Sequence, residues 1–255
     1  MKTFLSFFLF ISVNICLLAQ ESDDKTIHIM VALCDNQYQG IVKVPKGIGN
    51  GQDPNSNLYW GCGYGVRTFF RKSADWKEVR KYKVNEVILE RIVFKHKTKN
   101  YYLVADAYDG RYISDCTIDF LKSCSGIKKD TVMVGKTVIG ISGNARLVSY
   151  VGHNGLMDFK LANTYQNTDD KTRDAIIIAC ASKQYFSQYL KTAKANPLVW
   201  STHLMSAEAY TVHDAIRAYI NGQPASAVRE AAASAYNNYQ KCGINGARRL
   251  LVTGF

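Results

Sequence analysis

The strongest constraint on this chain is a set of apolar runs too short to be helices. They are "TIHIMVALCDN" at 26–36, "YYLVADAY" at 101–108, "ARLVSYVGHNG" at 145–155 and "DAIIIACAS" at 174–182. A strand with one wet face alternates polar and apolar residues. A run that is apolar at almost every position must be covered on both faces, as in a parallel sheet. Segments of helical spacing fall between these runs: "SDCTIDFLKSCSG", "KQYFSQYLKTAKAN", "SAEAYTVHDAIRAYIN" and "PASAVREAAASAYNNYQKCG". Strands that alternate with helices predict an α/β fold, a mostly parallel central sheet flanked by helices on both faces.

Local signals set finer expectations. Asp53 followed by Pro54 reads as a cap and first-turn proline, predicting a helix through "DPNSNLYWGCGYGVRTFFRKS" despite its three glycines. Ser206, with Glu208 close behind, reads as the cap of the helix over 206–221. "PLVWSTHLM" at 197–205 reads as a strand, and His213–Asp214 as a solvent-facing pair in mid-helix.

Residues 1–20 read as a secretory signal peptide. Lys2 precedes an apolar run from Phe4 to Leu18, with cleavage expected near Ala19 or Gln20. The remainder, 21–255, reads as one domain, exported to the periplasm or outside the cell. No other stretch has the ~20 apolar residues of a membrane span. Six cysteines remain: Cys34, Cys62, Cys116, Cys124, Cys180 and Cys242. That is too sparse for a disulfide scaffold and shows no CxxC pair. The five scattered histidines add no metal-ligand spacing, so neither metal nor other cofactor is expected. The net charge of +11 is spread over the chain, with one dense stretch from Arg71 to Lys99. No nucleic-acid-binding signature accompanies it, so it reads as a solvated basic face. The sequence leaves the oligomeric state open.

Chemistry concentrates where two apolar runs end. One stops in "VGHNG", placing His153 just past its last apolar residue; the next stops in "IIIACAS", placing Cys180 likewise. In a parallel sheet both emerge at the carboxyl edge, where such folds bind ligands. A thiol is nucleophilic as thiolate, and a nearby imidazole is the usual means of forming it. Backbone amides at Cys180 and in the Asn154–Gly155 turn are the candidate oxyanion donors, with a left-handed Asn154 or Gly155 expected to aim them. Trp200, Ser201 and His203 follow on the next strand. Asp53 and Asn57 are candidates to line the same cleft; with one carboxylate their loop makes a poor calcium site.

On "YVGHNG" and "AIIIACAS", in that order, the chain resembles the caspase-like clan of cysteine peptidases, which includes caspases, legumains, gingipains and clostripain. The resemblance covers about residues 26–222. It implies a caspase-like α/β domain, His153 as general acid/base, Cys180 as nucleophile, and endopeptidase activity on peptide or protein substrates. It also implies that the strand after the cysteine lines the substrate groove, making Trp200, Ser201 and His203 candidate substrate-binding residues. Ile178 stands where clostripain-like relatives carry an acid, so no residue preference transfers. The other readings are a catalytically inactive caspase-like binding protein of the cell envelope, and an envelope protein whose Cys180 is disulfide-bonded.

Overall fold

The computed structural model describes residues 25–255. The segment read as a signal peptide lies outside the described residues. Eight strands form one sheet: β1 (Lys25–Ala32), β2 (Trp76–Tyr82), β3 (Ile88–His96), β4 (Tyr101–Tyr108), β7 (Leu147–Gly152), β8 (Asp174–Ile178), β9 (Asn196–Ser201) and β10 (Leu251–Val252). Their spatial order is β10-β9-β8-β7-β1-β4-β3-β2. The five central strands, β4-β1-β7-β8-β9, run parallel. Both edges are antiparallel, through β4-β3-β2 on one side and β9-β10 on the other. β5 (Lys129–Val134) and β6 (Thr137–Ser142) form a separate hairpin.

Among the described residues six α-helices accompany the sheet: α1 (Val66–Lys72), α2 (Ile113–Cys124), α3 (Ser182–Thr192), α4 (Ala209–Ile220), α5 (Ala225–Gln240) and α6 (Ile244–Leu250). Alternate residues of the central strands feed two cores. Ile27, Ile29, Val31, Ile176 and Ile178 pack with Phe70 of α1, Ile216 of α4 and Val228 of α5. Met30, Val148, Tyr150 and Ile177 pack on the opposite face with Phe120 of α2 and Phe186 of α3. The apolar runs are continuous because both faces of these strands are covered: helices pack on both sides of β1, β7 and β8, while Tyr102 and Val104 of β4 face the β5–β6 hairpin.

Four local expectations are corrected. Residues 53–65 form turns, and the helix begins only at Val66. Asn57 is fully buried, and its amide bonds the Cys34 and Asn50 carbonyls while its side-chain oxygen accepts from Cys34 N. Its own carbonyl accepts from the amides of Trp60, Gly61 and Cys62, closing a turn. A Cβ at Gly61 would lie 2.0 Å from the Asn55 carbonyl oxygen, so this glycine lets the chain fold back on itself. β9 stops at Ser201, and 202–208 is loop. The N-cap of α4 is Glu208 rather than Ser206, whose amide instead donates to the Tyr236 hydroxyl. His213 is buried: its ring packs edge-on against Phe69 and Phe70, and Nε2 meets Ser73 Oγ at 2.9 Å.

The topology fixes the site. β7 and β8 are neighbouring parallel strands with Val151 opposite Ile178, so the next turns of both emerge at one edge.

Candidate functional site

His153 and Cys180 line the same cavity, of about 550 Å³. β7 ends at Gly152, where φ is 137° and a Cβ would lie 2.5 Å from the Ala32 carbonyl oxygen. Only glycine lets the chain leave the sheet there against β1. The buried Tyr150 hydroxyl donates to the His153 carbonyl at 2.6 Å, pinning the following turn. The imidazole Nε2 meets Asp158 Oδ2 at 2.8 Å. A carboxylate only accepts, so Nε2 carries the proton of this contact. Among the described residues nothing hydrogen-bonds Nδ1. Asp158 Oδ2 also accepts from Gly40 N at 2.9 Å. A Cβ at Gly40 would sit 2.4 Å from Asp158 Oδ1, so the 40–44 segment approaches this closely because residue 40 is glycine.

The Cys180 turn is braced on several sides. Ala181 adopts a left-handed conformation (φ 47°, ψ 32°), which costs a side-chain-bearing residue roughly 1–2 kcal/mol. Its amide donates to the His203 carbonyl at 2.8 Å. Ser182 and Ser201 brace each other beneath the turn, Ser182 N on Ser201 Oγ and Ser201 N on Ser182 Oγ, while Ser201 Oγ donates to the Ala179 carbonyl. Asn154 Nδ2 donates to the Cys180 carbonyl at 2.7 Å, and its Oδ1 accepts from Leu156 N. The two turns are therefore bolted together by a fully buried amide. Cys180 Sγ sits against the Met205 backbone, accepting from its N–H at 3.3 Å and donating to its carbonyl at 3.4 Å.

The candidates group as follows. His153 and Cys180 share the cavity; Asn154 lies behind its wall as the strut between them. Asn154 is extended (φ −77°, ψ 96°) and Gly155 is outside the left-handed region, which corrects the expected oxyanion turn. Gly155 is glycine because a Cβ would lie 2.7 Å from the Phe159 ring. Asp53 caps its own turn through Asn55 N and Ser56 Oγ and lines a different depression. Asn57 is enclosed beneath the 50–62 turns. Trp200 is core, its indole N–H on the Gly254 carbonyl and its ring against Phe255. Ser201 holds the Cys180 turn from below, and exposed His203 contributes its carbonyl to that turn.

The cavity walls come instead from 40–44 and 204–208, with Leu58, Tyr59 and Met157. Three exposed large apolar side chains form its rim: Val42 (92%), Leu204 (70%) and Met157 (41%). Exposed apolar groups gathered around one opening mark a binding surface.

The other cysteines differ in setting. All six are unpaired among the described residues. Burial, with Asp35 adding to it, pushes Cys34 up to about 12, and burial also raises Cys116 and Cys124. These three are packing thiols. Among the described residues no group of three or more His, Cys, Asp or Glu is arranged to hold a metal ion, and no helix is long and apolar enough to cross a membrane.

Comparison with protein-family models, with curated proteins and with solved structures gave no significant match.

Proposed function

We propose that the mature chain is an exported, caspase-like cysteine endopeptidase. The observation that carries this reading is the convergence of Cys180 and His153, from the ends of adjacent parallel strands, on one cavity with an apolar rim. His153 Nδ1 takes the thiol proton as Sγ attacks the carbonyl carbon of the scissile peptide bond. The tetrahedral adduct collapses to a thioester, and the leaving amine takes the proton from the imidazolium. Water then attacks the thioester, giving its proton to Nδ1, and the proton returns to the departing sulfur. Asp158 holds the ring through Nε2 at each stage and favours the cation formed in between. The Met205 N–H on Sγ favours the thiolate in the same way.

A second reading, a catalytically inactive binding protein, draws on the same Met205 contact. There the carbonyl holds the thiol proton and the 204–208 loop covers the sulfur. Incubation of the mature protein with a diverse peptide library separates the two. The peptidase reading expects cleavage by wild type and none by Cys180→Ala; equal product from both, or none from wild type, refutes it.

A further inference from the structure

One charge in the cavity wall is left unanswered by the fold. Glu208 lines the cavity with Cys180 and His153. It is half-buried, and among the described residues it makes no salt bridge. Its two hydrogen bonds, from the Tyr210 hydroxyl at 2.9 Å and Gln240 Nε2 at 3.3 Å, both fall on Oε2. Oε1 accepts nothing from the described residues. Glu208 occupies the N-cap position of α4, yet its side chain caps no helix amide. Desolvation raises its pKa, offset only by the Tyr210 hydrogen bond, with no cation contributing. The one lysine of the lining, Lys43, is exposed on the opposite 40–44 segment and lies beyond ion-pair distance. A half-buried carboxylate is ordinarily matched by a cation, because losing water without gaining a partner is costly. Here the unmatched oxygen belongs to a wall of the cavity that holds the nucleophile. Gln240 and Tyr210 hold the other oxygen and so restrain the group.

We infer that Glu208 is a specificity-determining residue that receives a lysine or arginine side chain of the substrate. The apolar rim of Val42, Leu204 and Met157 would hold the flanking residues. The inference rests on the peptidase reading above. An arginine fits the open geometry well, since one free carboxylate oxygen and a fixed neighbour accept its planar fork.

The test is a matched set of fluorogenic peptides with Arg, Lys, citrulline, Leu or Asp before the scissile bond, assayed with wild type, Glu208→Gln and Glu208→Lys. Citrulline keeps the shape of arginine without its charge. Wild type is expected to prefer Arg or Lys over citrulline by about 10²-fold in kcat/KM. Glu208→Gln should collapse that ratio towards one, and Glu208→Lys should turn the preference towards Asp. Labelling of Cys180 by peptidyl-Arg and peptidyl-Leu chloromethyl ketones, read by intact mass, should follow the same order. Cleavage or labelling that ignores the charge of this residue, or a ratio unchanged in Glu208→Gln, overturns the inference and leaves the peptidase reading standing. Absence of cleavage and of labelling with every peptide overturns both.

Discussion

Replacing Asn154 by alanine cuts the brace between the two turns, and its cost follows from the geometry. The side chain is fully buried, with Nδ2 2.7 Å from the Cys180 carbonyl oxygen and Oδ1 3.1 Å from Leu156 N. The variant strands one buried acceptor and one buried donor, each costing about 1–3 kcal/mol. Partial re-satisfaction by water lowers the sum, so a loss of about 2–4 kcal/mol is expected. At about 2–4 °C per kcal/mol for a chain of this length, the melting temperature should fall by roughly 9 °C. Urea unfolding should show the same loss with an unchanged m-value, because the surface exposed on unfolding hardly changes. Asn154→Asp is the informative partner. It keeps the acceptor for Leu156 N but sets a carboxylate against the Cys180 carbonyl, so at neutral pH it should be at least as damaging as alanine. A loss below about 0.5 kcal/mol in Asn154→Ala would show that the strut carries no strain-bearing contact and would refute the reasoning.

Gly152→Val should cost more than about 3 kcal/mol, since the new Cβ meets the Ala32 carbonyl in a φ of 137° that valine does not adopt; soluble, normally melting protein would contradict this. The buried Asp106 contributes a pH dependence of known sign. Burial alone would raise its carboxyl, but two bonds from Arg91 and one from His28 hold it down at about 2. The folded value lies below the unfolded one of ~3.9, so its stabilisation is full above that pH and is lost as pH falls towards 2. Urea unfolding at stepped pH should show this decline in wild type and a shallower one in Asp106→Asn; parallel curves would contradict it.

The parts of the fold that were legible in the sequence are those written in short-range pattern. The runs over 26–36, 101–108, 145–155 and 174–182 show their burial on both faces directly, and the residues that end them follow from the same pattern. Misread segments have their cause at long range. Asp53–Pro54 is a genuine turn-starting pair, but Asn57 reaches 23 residues back to Cys34, and that contact selects turns over helix. The β5–β6 hairpin buries Val132, Ile139 and Ile141 against Val93 and Val104, a partnership that neither hairpin strand announces alone. Asp158 closes a single 3-10 turn (Gly155–Met157) five residues after His153, too short for any periodicity to point to it. The walls at 40–44 and 204–208 are loop, brought to the site by long-range contacts such as the tether of Gly40 to Asp158 and the seat of Met205 on Cys180. Trp200 and Ser201 were legible as strand but not by face, because the pleat turns Trp200 into the core.

The central claim, that His153 activates Cys180, is tested most directly by the pH dependence of iodoacetamide alkylation, resolved peptide by peptide by mass spectrometry. Cys62 and Cys242, the other thiols that are not buried, serve as internal references. In wild type, Cys180 should be alkylated faster than Cys62 or Cys242 at neutral pH. In His153→Ala its profile should move up towards that of Cys242, while the protein melts normally. The same Cys180 profile in wild type and His153→Ala, or a Cys180 recovered in a native disulfide, would contradict the account.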